Sequence, residues 1–180
     1  LPSRGLGDVY KRQKYNKIEM EIFRNNELIG YNLYSFTRNG DETIITNQIK
    51  FSVKLLGTTI FKVDGYGEEK YFKDQLISYN SKTLQNNKKK FVNLLFNKDT
   101  KKLDIIGSSY NGEVSNDIII GNWWNHKILQ SDIQISPLSG SVKKQVVTFI
   151  GKEKIDLYGK TYEVDHLSLI HISEPTRRKR

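Results

Sequence analysis

Trp123-Trp124-Asn125-His126 is the stretch of this chain best equipped for chemistry. Indole rings stack on a ligand while keeping a polar tip, and a histidine beside them titrates near neutrality. The simpler reading of the same residues is packing, with the tryptophans closing one end of a β-structure and His126 at its surface. Glu68, Glu69 and Asp74 form a second candidate set, with Tyr66 close by in sequence. Paired carboxylates do acid–base work when held at a defined separation with their proton affinities driven apart. Neighbours on a strand face opposite ways, so Glu68 and Glu69 cannot converge and only one can point inward. Solvated side chains are the expectation for both. Lys88-Lys89-Lys90 before Phe91 is a basic cluster beside an aromatic, formally suited to RNA or an anionic surface. It also falls at an expected turn, where charge is ordinarily solvated.

Other chemistries are excluded or unsupported. The chain has no cysteine, so thiolate zinc sites, cysteine nucleophiles and disulfides are ruled out. No zinc site can be assembled, because His171 falls in an end that is set aside below and only His126 and His166 remain. Asp165 and His166 alternate faces as Glu68 and Glu69 do. The serines Ser78, Ser81, Ser108, Ser109 and Ser139 lie in no nucleophile elbow. Gly65-Tyr66-Gly67 is not a phosphate loop, since no helix follows it. No cofactor and no metal are called for.

The two ends are expected to be foreign. Ser3 to Gln13 (SRGLGDVYKRQ) can be encoded by a DNA string whose reverse complement encodes LSLIHISEPTR, which is Leu167 to Arg177. The string looks like a sequencing-library adapter, so residues 1–13 and 167–180 read as adapter translation and are set aside before any fold argument. His171 goes with them. The exclusion changes the charge argument. Arg4, Lys11 and Arg12 against Asp8, with Arg177, Arg178, Lys179 and Arg180 against Glu174, supply more than half of the formal +9. The terminal basic run then loses its meaning as a nucleic-acid arm. What remains, 14–166, has the length of a single domain, and it is expected to be a truncated one.

Within that stretch the dominant period is two, the mark of half-buried strands. Ile18, Met20 and Ile22 alternate with charged residues before the turn Asn25-Asn26. Asn32, Tyr34 and Phe36 share one face of the next strand, and Tyr31 and Leu33 the other. Asn39-Gly40-Asp41 is the clearest hairpin signal, followed by Ile45, Asn47, Ile49, Phe51 and Val53 on one side of a long strand. Thr59 to Tyr71 is a strand in which Gly65 and Gly67 announce a bulge or a close backbone approach. Lys73-Asp74, Asn86-Asn87, Lys98-Asp99-Thr100 and Asn111-Gly112 punctuate the strands downstream. A last meander from Val146 to His166 has Gly151 and Gly159 at its corners. About nine strands result, the spacing of an antiparallel sandwich or barrel. Residues 121–138 break the rhythm, and a short helix over Trp123 to Leu129 is expected there. No stretch reaches the roughly 20 apolar residues of a membrane helix.

Several of these anchors together make a pattern. Ile29-Gly30, the Asn-Gly-Asp turn, Gly65 to Glu69, Leu76-Ile77-Ser78 with Ser81-Lys82-Thr83, Trp124-Asn125 and Leu138-Ser139-Gly140 resemble an uncharacterised bacterial family, domain of unknown function 6134. The resemblance implies an exported protein with an incomplete β-barrel, a signal peptide and a further C-terminal hairpin. It singles out Glu69 without a role, and it implies no known activity.

The expected protein is therefore all-β, an antiparallel curved sheet or incomplete barrel or sandwich with a helical or irregular insertion at 121–138. Its expected role is non-enzymatic, in the periplasm or outside the cell, binding an apolar or amphipathic small molecule on the concave face. The inward row would include Ile49, Phe51, Val53, Tyr66 and Trp124, and the candidate binding residues are Trp123, Trp124, Asn125, His126, Glu69 and Tyr66. A hydrolase or lyase using His126 with Glu69 is the enzymatic alternative. A binder of nucleic acid or anionic surfaces through Lys88 to Lys90 is the other, and nucleic acid is not the expected partner.

Overall fold

The computed structural model describes residues 15–172; of the expected foreign ends 1–13 and 167–180, residues 1–13 and 173–180 lie outside them. The described chain contains twelve strands and one short 3₁₀ helix, and falls into two compact units.

The larger unit is an uninterrupted meander. Strands β1 (Lys17–Arg24), β2 (Glu27–Asn39), β3 (Glu42–Leu55), β4 (Thr58–Phe72), β5 (Gln75–Gln85), β6 (Lys88–Asn97), β7 (Lys102–Gly107) and β8 (Asn111–Ser115) form one antiparallel sheet in sequence order. β1 and β8 are its two edges, so the sheet is curved and open and does not close into a barrel. The turns explain why neighbours in sequence became neighbours in space. Asn25-Asn26, Leu56-Gly57, Lys73-Asp74 and Asn86-Asn87 all hold positive φ at both central residues. That is the primed geometry whose twist matches the flanking strands. At Asn39-Gly40-Asp41 the positive φ falls on Gly40 alone. Asn97 closes the longer β6–β7 loop by accepting from the backbone N–H groups of Asp99 and Thr100.

Alternation then sorts side chains between two faces. The register brings Phe36, Ile45, Glu69, Tyr79, Leu94 and Ile105 into one line across β2 to β7, all buried. The next line is Tyr34, Asn47, Gly67, Ser81, Val92 and Gly107, and the one after it Asn32, Ile49, Gly65 and Thr83. These lines are the inner face and carry the core of the unit.

Pro137–Gly140 also belongs to the larger unit, although it is far from it in sequence. The carbonyl of Pro137 accepts from the hydroxyls of Tyr79 (2.8 Å) and Ser81 (2.7 Å). Ser109 N–H donates to the Ser139 carbonyl at 3.0 Å. Gly107 and Gly140 meet back to back, since a Cβ on Gly140 would stand 3.3 Å from the Gly107 Cα.

The smaller unit comprises β9 (Ile119–Ile120), the 3₁₀ helix (His126–Leu129), β10 (Ile133–Ile135), β11 (Val142–Leu157) and β12 (Lys160–Ile172), with sheet order β12-β11-β10-β9. β9 and β10 run parallel and the rest antiparallel. The expected corner at Gly151 is absent. β11 runs straight through it, and Gly151 sits where the pairing with β12 slips by one residue. Only Tyr158-Gly159 turns. Leu167–Ile172, set aside as adapter-derived on sequence grounds, forms the end of β12 and pairs with residues 144–149.

Candidate functional site

The inner face of the larger sheet concentrates buried polar groups on β2 to β5. Asn32 and Asn47 lie diagonally across β2 and β3, and the Asn47 amide donates to the Asn32 carbonyl oxygen. Asn32 donates in turn to the Tyr34 hydroxyl at 2.8 Å. Glu69 is 2% exposed, and Tyr71, two positions on and on the same face, donates its hydroxyl to Glu69 Oε2 at 2.6 Å. A bulge beside Tyr71, where Tyr71 pairs with Leu76 and Lys70 with Ser78, leaves Ile77 as the extra residue on β5. Burial pushes the Tyr71 phenol well above its ordinary range. The Glu69 carboxylate, by charge and by hydrogen bond, pushes it further, and Tyr79 adds to it.

Glycine shapes this region by what it lets in. A Cβ on Gly67 would stand 2.9 Å from the Tyr79 hydroxyl and 3.2 Å from its ring, so the Tyr79 phenol lies over Gly67 on its way to the Pro137 carbonyl. At Gly65 a Cβ would meet Ile49 Cγ2 and Thr83 Oγ1, each at 3.1 Å. The expected close approach at these glycines is present, and it is made by neighbouring side chains. The expected bulge is not, because the pairing is regular from Lys62 to Lys70.

Several sequence expectations need correcting. Glu69 is buried, not solvated, because the odd-numbered residues of β4 face inward; half-buried Glu68 faces out and pairs with Lys70 at 3.4 Å. Tyr66 is on the outer face, so it does not join Ile49 and Phe51 in the inward row, and it cannot share a site with Glu69 on a regular strand. The inward positions on either side of it are glycines, which have no side chain to mark the phase at that point of the strand. Val53 is half-buried beside a bulge. Lys88 and Lys89 are exposed and Lys90 half-buried, directly after the Asn86-Asn87 turn.

The tryptophan cluster belongs to the smaller unit. Trp123 is exposed, while Trp124, Asn125 and His126 are half-buried. The helix starts at His126 and not at Trp123, because Asn125 is its cap: the Asn125 side chain accepts from the Lys127 N–H at 3.1 Å. The chemistry that sequence missed here is a pair of buried amides. Gln145 donates to the carbonyls of Ile128 and Ser131, both at 2.6 Å, and accepts from Gln134 at 2.6 Å. Gln134 also meets His171 Nε2 at 2.5 Å, and burial, with Lys143 nearby, holds that imidazole below its ordinary range. Glu69 and His126, the catalytic pair of the enzymatic alternative, thus sit in different units. His166, expected at the edge of the domain, pairs with Glu153 at 3.4 Å and is exposed next to Asp165.

Among the described residues no three His, Asp or Glu side chains gather as metal ligands would, and no buried side-chain nitrogen or oxygen lacks a hydrogen-bond partner. Among the described residues no helix is long and apolar enough to cross a membrane.

These observations define an all-β protein built on an open meander sheet with a polar belt on its buried face. The chain matches the family described as a domain of unknown function, DUF6134, over residues 20–179, and it belongs to that family. No curated protein and no solved structure matches it.

Proposed function

We propose that the protein is a non-enzymatic binding protein of the cell envelope, whose curved sheet receives an amphipathic small molecule on its inner face. The observation that carries this reading is the composition of that face. Apolar side chains on β6 and β7 (Val92, Leu94, Leu103, Ile105) adjoin a belt of amides, hydroxyls and a carboxylate on β2 to β5. An apolar body and a polar head match such a divided surface better than a wholly apolar ligand does. Glu69, the carboxylate of that belt, is the group suited to a hydroxyl or amine on that head. The envelope location rests on the resemblance to exported proteins.

A second reading has its own support. Tyr79 fills the space over Gly67 and holds the Pro137 carbonyl, as a packed structural core would. One experiment separates the two. The full chain is titrated with a dansylated fatty amine, following the blue shift of the dansyl group, and Glu69→Gln is titrated alongside. Saturable binding that weakens about tenfold in Glu69→Gln supports the ligand reading. A non-saturating response in both proteins leaves the face as filled core.

A further inference from the structure

The outer face of the same sheet carries an ordered arrangement that the inner-face reading does not use. Register places Leu33, Gln48, Tyr66, Lys82 and Phe91 in one line across β2 to β6. The adjacent line is Tyr31, Lys50, Asp64, Leu84 and Lys89, and the line on the other side contains Glu68, Asn80 and Asn93. Tyr66 is 46% and Phe91 41% exposed, and Lys82 stands between them. Strand spacing puts the backbones of Tyr66 and Phe91 roughly 10 Å apart, with that of Lys82 midway. Isolated exposed aromatics are ordinary on β-sheets. Two of them in register, with a cation between them, a carboxylate in the line on each side and amides in one of those lines, are a patterned surface.

We propose that this face binds a carboxylated polysaccharide laid across the strands. Aromatic rings present flat apolar faces to the C–H side of sugar rings, and their polar edges stay wet. Lys82 and Lys89 supply point charges for carboxylates. Gln48, Asn80 and Asn93 are both donors and acceptors, as sugar hydroxyls are. The acidic groups choose between polymers. Asp64, 3.8 Å from Lys50, and Glu68, 3.4 Å from Lys70, already neutralise two of the cations on this face. A DNA strand such as poly(dT) is as densely charged as a uronic-acid chain but has no hydroxyl within its length to donate to Asp64 and Glu68. A sugar chain uses the same two groups as hydroxyl acceptors.

The test is electrophoresis of the full chain through native gels containing alginate, with poly(dT) in parallel gels. Alginate is expected to retard the protein. Tyr66→Ala and Phe91→Ala are expected to weaken that retardation at least fivefold, and Lys82→Ala about threefold. Leu95→Ala, exposed on the same face but outside these lines, should leave it unchanged. Circular dichroism of each variant confirms that it remains folded, and any one folded variant of the three decides. No retardation by alginate, retardation indifferent to all three variants, or retardation matched by poly(dT) and lost at moderate salt would each overturn the proposal. The last outcome would identify a plain polyanion surface.

Discussion

Tyr71 hands its only hydroxyl hydrogen to Glu69, a carboxylate almost wholly removed from water and two residues away on the same strand. A buried charge without such a donor is costly, and a hydrogen bond to a charged group is among the stronger ones in a protein.

Replacing Tyr71 with Phe is therefore expected to lower stability by about 2 kcal/mol, read from urea denaturation. The pH dependence carries a further signature. The Tyr71 phenol ionises higher in the folded chain than in the unfolded one. Its contribution is fully present below the unfolded value of about 10, and it is lost as pH rises from there toward the folded value. Wild-type stability should fall more steeply above pH 10 than that of Tyr71→Phe. Equal slopes would show that the phenol is not linked to folding.

Gly67 is tested by adding one methyl group. Gly67→Ala pushes a Cβ against the Tyr79 hydroxyl and should cost about 1 to 3 kcal/mol by overpacking. If Tyr79 is what it meets, Gly67→Ala in a Tyr79→Phe background should cost measurably less, because the nearest atom is gone. Strict additivity in this double-mutant cycle would place the strain elsewhere.

Leu56 occupies the first central position of a primed turn at φ 49°, and its side chain is 98% exposed. A branched side chain gains nothing there and bears the strain of a left-handed backbone, which asparagine tolerates. Leu56→Asn should stabilise the protein by about 0.5 to 1 kcal/mol, seen as a higher urea midpoint with an unchanged slope.

Gln145 bonds the carbonyls of Ile128 and Ser131 and the Gln134 amide at once. Gln145→Leu fills the same space and leaves those carbonyls unbonded, so a loss on the order of 3 kcal/mol is expected. Hydrogen exchange should show faster opening of residues 128–134. Unchanged exchange there would mean that the amide is not what holds those residues.

Much of the architecture could be read from the chain because the larger unit is local. Alternation gave each strand its two faces, as with Asn32, Tyr34 and Phe36 against Tyr31 and Leu33, and Asn, Lys-Asp and Gly pairs marked the returns. The reading failed where the pattern lacked side chains or needed distant partners. Glycine at 65 and 67 hid the phase of β4, so Glu69 was expected in water and Tyr66 in the core. β8, β9 and β10 are too short to show a period. Tyr79, Ser81 and the two glutamines carry no local sign of burial. The nearest hint was the rhythm of Asn47 within Ile45, Ile49 and Phe51, a polar residue in phase with the apolar ones.

The loop Pro137–Gly140 gives the chain an unequal folding problem. Along the eight-stranded meander each strand pairs with the next, and such contacts close quickly because they join nearby segments. The bonds from Tyr79 and Ser81 to Pro137 span 58 and 56 residues. Their loop-closure entropy must be met before they return any energy. Docking of this loop is expected to come after the rate-limiting step, so Ser81→Ala should speed unfolding and leave the refolding rate nearly untouched. The last part of the larger unit to arrive would then be the part that comes from furthest along the chain.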